Sequence, residues 1–135
     1  MRKLITKPMQ ELNKITLEFV LNCSVNVLFK RLSTASGLAE WFADDVQVEG
    51  EHFTFIWDGY PQEAELVYRN KNENVCFRWT EFDDDKHCFE FSVQGVELTN
   101  DVSLIVTDMV EPGEEDSQRE LWESQIEQLK RILGA

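Results

Sequence analysis

Large aromatic side chains occupy every second position in several consecutive stretches, and this alternation constrains the fold more than any other feature. Alternate residues of a β-strand face the same side, so each stretch predicts a strand with one ring-bearing face. Since many of the intervening residues are polar, we expect antiparallel pairing with one buried and one wet face. The alternating residues are Phe53, Phe55 and Trp57, then Ala64, Leu66 and Tyr68, then Val75, Phe77 and Trp79, and finally Phe89, Phe91 and Val93.

Turn signals separate these stretches. Asp58-Gly59 is a strong hairpin signal, and the segments 70–74 and 83–86 are polar. Further alternating or short apolar segments predict strands at 14–21, 46–48 and 102–106.

Helical spacing follows the first predicted strand. Ser24 can cap a helix that begins at Val25. A second, short helix follows the break at residues 33–37, and its Leu38, Trp41 and Phe42 share one face.

The end of the chain has the apolar spacing of a long helix. Ser117 and Glu120 fit a capping box at its start, and Gly134 suits its C-terminal cap. The apolar stripe of Trp122, Ile126, Leu129 and Leu133 needs a partner of similar length. The ring-bearing sheet face is the candidate, so we predict an α+β helix-grip fold. In this fold a curved antiparallel sheet of about six to seven strands surrounds a long C-terminal helix, with two short helices after the first strand.

The charge of the chain limits its partners. The formal net charge is -13, from 26 acidic and 13 basic residues. Such a surface repels nucleic-acid phosphates and anionic lipid head groups. It therefore argues against nucleic-acid and membrane partners and leaves a basic protein as a candidate partner.

The 135 residues suit one domain. We expect residues 1–13 to form a loosely ordered tail, with Met9 a candidate start, and residues 14–135 to form the folded domain. The tail lacks the apolar core of a signal peptide, and no apolar run approaches the roughly 20 residues that cross a bilayer. Three cysteines, with no close pair, favour a reducing, cytoplasmic location.

Three segments match a known family pattern in the expected order. Residues 25–33 match a first helix that follows the first strand, residues 37–42 a short helix that carries a tryptophan, and residues 121–130 a closing helix with Trp122. Together they resemble the START-like superfamily, also called SRPBCC or Bet v-like, and its branch related to the activator of the heat-shock ATPase chaperone. The resemblance implies a helix-grip domain after about residue 13. Members range from lipid and hormone carriers to cyclases and co-chaperone domains.

A hollow between the sheet and the closing helix is the strongest functional candidate. Ligand sites are usually apolar and largely preformed, and a curved sheet leaves such a space under the helix. If the rings fill the space themselves, they form an ordinary core instead, and both alternatives stay open. The predicted ligand-binding residues are Trp41, Phe53, Phe55, Trp57, Leu66, Tyr68, Phe77, Trp79, Phe89, Phe91, Trp122 and Ile126.

Other constellations carry less chemistry. His52 and His87 lack partners at metal-ligand spacing, and the acidic pairs and triplets lack the spaced oxygens of a calcium loop. We therefore predict no metal, no cofactor and no catalytic residue. Asp58 and Asp108 are candidates to point into the mouth of the hollow, where apolar surroundings raise the pKa of a carboxyl group. Alternatively, these two residues have structural roles in a turn or at the end of a strand.

These observations favour a non-enzymatic protein that binds a small hydrophobic molecule. A protein-interaction or co-chaperone-like module is the alternative. A cyclase- or hydratase-type enzyme is the third hypothesis, because it needs two polar groups that converge inside the hollow.

Overall fold

The computed structural model describes residues 11–96 and 98–135. They form seven strands and three helices: β1 (Asn13–Leu21), α1 (Val25–Ser33), α2 (Ala35–Leu38), β2 (Asp45–Glu49), β3 (His52–Trp57), β4 (Tyr60–Asn70), β5 (Asn74–Trp79), β6 (Cys88–Gly95), β7 (Val102–Val110) and α3 (Glu115–Leu133). The expected loose tail lies outside the described residues up to position 10. Within the described part of the chain, no helix is both long and apolar enough to span a bilayer.

All seven strands belong to one antiparallel sheet, in the order β1-β7-β6-β5-β4-β3-β2. β1 pairs with β7 along its whole length, from Asn13 opposite Val110 to Leu21 opposite Val102. The helices α1 and α2 connect β1 at one edge to β2 at the other. The predicted helix-grip architecture is therefore confirmed, with the sheet curved around α3.

The ends of α1 and α3 test the capping predictions. The Ser24 hydroxyl accepts a hydrogen bond from the Val27 amide, and Gly134 adopts a left-handed conformation with φ 68°, so both of these caps are confirmed. The capping box of Ser117 and Glu120 is wrong. The helix begins at Glu115, so Ser117 lies within its first turn and its hydroxyl donates to a backbone carbonyl.

The alternation of β4 breaks at a β-bulge, where the register shifts between Leu66 and Tyr68. Leu66 lies opposite Phe77 and is buried. After the shift, Tyr68 lies opposite Cys76 on the outer face, and its hydroxyl contacts the Glu90 carboxylate. The predicted inward position of Tyr68 is therefore wrong, because the extra residue reverses which side the following side chains face.

Aromatic rings fill the concave side of the sheet, and Phe42 lies at their centre. Phe42 belongs to the segment between α2 and β2 and is only 4% exposed. Aromatic pairs at ring separations of about 4.5–7 Å are attractive beyond the area that they bury. The space under the middle of α3 is thus a packed core built around Phe42. Its ring centroid lies 5.1–6.2 Å from those of Trp41, Phe55, Trp57, Phe89, Phe91 and Trp122.

The two short helices approach each other through Gly37. A Cβ atom at this position would lie 2.2 Å from the carbonyl oxygen of Lys30 and 2.6 Å from the Cα atom of Arg31. Both of these atoms belong to the backbone, so a side chain cannot be accommodated by a rotamer change.

We expect Gly37→Ala to lower the free energy of unfolding by about 1–3 kcal/mol, as overpacking does, although alanine normally favours a helix. Urea denaturation measures this change. Gly95→Ala is the matched control, since a Cβ there meets nothing within 4 Å, and it should change the stability by less than about 0.5 kcal/mol. Equal stability of the two variants would contradict the close helix contact.

Candidate functional site

A cleft of about 1070 Å³ opens at one end of the packed core. Residues 39–44 line it on the helical side, together with Gln118, Leu121, Trp122, Gln125 and Gln128 of α3. On the sheet side it is lined by Trp57, Trp79, Phe89 and Asp108. Trp57, Trp79 and Asp108 lie at or near the C-terminal ends of their strands, and Phe89 lies near the start of β6. Because neighbouring strands are antiparallel, these positions meet at the same edge of the sheet.

The residues predicted to bind a ligand fall into three groups. Tyr68 lies on the outer face, as described above. Phe53, Phe55, Leu66, Phe77, Phe91 and Ile126 lie in the packed core and do not line the cleft. Trp41, Trp57, Trp79, Phe89 and Trp122 line the cleft. The two alternatives left open by the sequence thus each describe part of the space, a solid core under mid-helix and an open cleft at one end.

Sequence reasoning missed the polar side of the cleft. Gln118 and Gln125 line it together with Trp122. They lie four residues before and three residues after Trp122, so they share its helix face. This spacing relative to Trp122 was the signal in the sequence that could have identified them as residues of the site. Glu81 and Phe82, just after β5, carry no periodic signal and could not be found in this way.

Asp108 is the buried carboxylate of the cleft, with 5% of its surface exposed. It continues the alternation of β7 and lies opposite Phe89 on the inner face. Its Oδ2 atom accepts hydrogen bonds from Trp122 Nε1 at 2.8 Å and Gln118 Nε2 at 3.1 Å, and its Oδ1 atom accepts one from the Met109 amide at 2.9 Å. Burial raises the pKa of this carboxyl group, while the three N–H donors oppose the shift.

Asp58, the other carboxylate considered for the mouth, has a turn role. It lies between β3 and β4 with φ 49°, a left-handed conformation that aspartate tolerates in tight turns. Its amide donates to Asp44 Oδ2 at 2.8 Å. Asp58 is exposed and does not line the cleft.

Hydrogen bonds fix three of the indole rings that line the cleft, those of Trp41, Trp57 and Trp122. The carbonyl oxygen of Phe42 accepts from Trp57 Nε1 at 2.7 Å and from Gln125 Nε2 at 3.2 Å. Trp41 Nε1 donates to the Arg31 carbonyl at 2.8 Å. Since these polar atoms are already paired, the rings need no ligand to hold their positions, and the cleft is preformed.

The rim beside β5 is held by a stacked pair. Phe82 lines the cleft, and its ring stacks on that of His87 with centroids 3.6 Å apart. His87 Nδ1 lies 3.0 Å from Asp84 Oδ1. This hydrogen bond is the main reason that the pKa of Asp84 falls to about 2.

In the described ranges, 11–96 and 98–135, no three His, Cys, Asp or Glu side chains gather where they could hold a metal ion. His52 lies on the exposed side of the sheet, where its Nε2 contacts Glu63 Oε1 at 2.5 Å.

The raised pKa of Asp108 gives the stability of the fold a pH dependence of defined sign. An acid whose pKa is raised by folding holds its proton more tightly in the native state than in the unfolded state. The protonated group therefore stabilises the fold at pH values below its ordinary pKa of 3.8, and this stabilisation is lost as the pH rises through the raised pKa of the native state. Asp108→Asn removes that loss. We expect the stability of the variant relative to the wild type to increase with pH across this window, measured by thermal denaturation at a series of pH values.

Gln118→Ala is the matched control for this prediction. It keeps the acid but removes a donor that lowers the pKa of Asp108, so the stability of this variant should fall with rising pH at least as steeply as that of the wild type. A relative stability of Asp108→Asn that stays flat or falls with rising pH would contradict the burial of this charge.

Comparison with known proteins places this fold in a family. The sequence matches the model of a START-like superfamily domain over residues 9–135. The solution structure of BfR322 from Bacteroides fragilis is 35% identical, with a TM-score of 0.66, and the match covers 90% of this chain and 91% of that chain. No curated protein matches the sequence.

More distant structures share the fold alone. The Aha1 dimer from Colwellia psychrerythraea is 18% identical, with a TM-score of 0.74 and coverage of 90% of this chain and 96% of that chain. CalU16 from Micromonospora echinospora is 13% identical, with a TM-score of 0.71 and coverage of 96% and 81%. The family match over residues 9–135 shows that this chain belongs to the START-like superfamily.

Proposed function

We propose that the protein binds a small, mainly apolar molecule in the cleft between α3 and the sheet. The observation that carries this proposal is that Trp57, Trp79 and Phe89 share one concave site with the buried carboxylate of Asp108. Apolar walls with a few fixed polar groups are typical of ligand sites, where the walls supply affinity and the polar groups set orientation.

The position of the packed core limits where the ligand lies. Phe42 and its neighbouring rings occupy the space under the middle of α3, so the ligand binds at the open end and does not pass beneath the helix. Phe53, Phe55 and Phe77 then support the binding site from behind without touching the ligand. This differs from a carrier that encloses its cargo completely.

A ligand of one or two rings occupies only part of this open cleft of about 1070 Å³. Burying about 200 Å² of apolar ligand surface contributes about 5 kcal/mol at roughly 25 cal/mol per Å². A full 5 kcal/mol would correspond to a dissociation constant of about 0.2 mM. Part of it is lost to the ordering of the ligand, so we expect dissociation constants between about 0.2 and 2 mM for simple ring compounds.

Two other functions have less support from the described residues. A module that captures a basic protein draws on the net charge of -13, which speeds association with cations but defines no binding site. An enzyme needs a further group that converges with Asp108, and both oxygens of that carboxylate already accept hydrogen bonds. A cytoplasmic location, which we also propose, agrees with the free thiols of Cys23, Cys76 and Cys88.

Filling the cleft tests the proposed function. Gln128 lines the cleft on the exposed side of α3, and Gln128→Phe places a ring in its mouth. Using calorimetry with naphthylmethanol as the probe, we expect saturable binding to the wild type and an affinity lowered at least about tenfold, or 1.4 kcal/mol, in this variant.

Ser124→Phe is the matched control. Ser124 is exposed on the same helix but does not line the cleft, so this variant should bind naphthylmethanol as the wild type does. Equal binding by all three proteins would place the probe elsewhere, and the proposal would have to be abandoned.

A further inference from the structure

The charged side chains that line the cleft all have the same sign. Glu40, Asp44, Glu81 and Asp108 contribute to its lining, and none of the described lining residues is Lys, Arg or His. Arg31 offsets Glu40 in part, with Nη2 3.6 Å from Oε1. The remaining carboxylates have no ion-pair partner among the described residues.

The negative charge extends from the rim into the cleft. Asp44 and Glu81 are exposed at the rim, whereas Asp108 is buried between Phe89 and Trp122. A carboxylate withdrawn from water is stabilised by any cation that reaches it, because opposite charges interact more strongly where water is excluded. An anion at the same place meets repulsion and loses its hydration without compensation.

The aromatic walls favour the same sign of ligand. Trp57 and Trp79 are half-buried and line the cleft together with Phe82. The faces of aromatic rings carry partial negative charge, so they attract cations as well as apolar groups, and tryptophan does so most strongly. Apolar contact and electrostatics therefore act on the same molecule when that molecule is an organic cation.

We propose that the cleft selects organic cations, that is, molecules with an apolar ring body and a protonated amine, against carboxylates and phosphate esters of the same shape. This inference rests on the proposed function, since it assigns the chemical class of ligand to the same cleft. In the bound state the ring packs against Trp57, Trp79 and Phe89, and the ammonium group lies toward the carboxylates.

A series of three probes with one ring system tests the selection. Naphthylmethylamine is cationic at neutral pH, naphthylmethanol is neutral and naphthoate is anionic. We expect the amine to bind at least about tenfold more tightly than the carboxylate in calorimetry at low salt, with the alcohol between them. Raising the salt concentration should narrow the ratio, because ions screen the rim charges.

Two charge variants separate the cleft from the overall charge of the protein. Glu81→Gln removes a carboxylate from the rim, and Glu49→Gln removes an exposed one from β2, outside the cleft. Each raises the formal charge from -13 by one. We expect the affinity ratio of amine to carboxylate to fall about threefold or more in Glu81→Gln and to stay unchanged in Glu49→Gln.

Each outcome has a separate meaning. If none of the three probes binds the wild type, the proposed function fails and this inference fails with it. If naphthylmethanol binds but the carboxylate binds as tightly as the amine, the charge selection is wrong while the proposed function stands. An equal loss of selectivity in Glu81→Gln and Glu49→Gln would assign the preference to the whole surface and overturn the role of the cleft.

Discussion

The packing of Phe42 against the rings of the sheet is the interaction on which the rest of the structure depends. A curved sheet and a helix laid across it leave a space that neither element fills, and this ring enters that space from the segment between α2 and β2. It contacts rings of the sheet, such as Phe55 and Phe89, and also Trp122 of α3. One side chain thus joins the layers of the fold and decides how much of the space stays open.

The cleft follows from the same arrangement. The backbone carbonyl of Phe42 accepts hydrogen bonds from Trp57 and Gln125, so the residue that closes the core also fixes the indole and the helix that border the opening. Asp108 joins β7 to α3 through Trp122 and Gln118. Contacts that stabilise the fold therefore double as the walls of the candidate site, and a ligand finds them already in place.

The spacing of apolar residues was sufficient to predict the architecture. Alternating rings indicate strands and helical spacing indicates helices, and both patterns can be read directly from the sequence. Asp108 could be placed on the inner face because it continues the alternation of Val102, Leu104 and Val106. Tyr68 could not be placed, because a β-bulge depends on how two strands pair. It leaves no sign in the alternation of residues within a single strand. The capping box at Ser117 was wrong because α3 begins two residues earlier, at Glu115, whose carboxylate accepts a hydrogen bond from Asn13 of β1. Helical spacing placed Phe42 on one face with Leu38 and Trp41, and all three are buried. The helix ends at Leu38, however, so the spacing did not show that Phe42 enters the space between sheet and helix.

The free energy of unfolding of Phe42→Ala tests this account most directly. If the ring fills the space between sheet and helix, its removal leaves a cavity bordered by other rings that cannot collapse into it, and urea denaturation should show a loss of about 3–5 kcal/mol. A loss below about 1 kcal/mol would mean that the surrounding rings close the gap without it. The core and the cleft would then not depend on this residue, and the account would be contradicted.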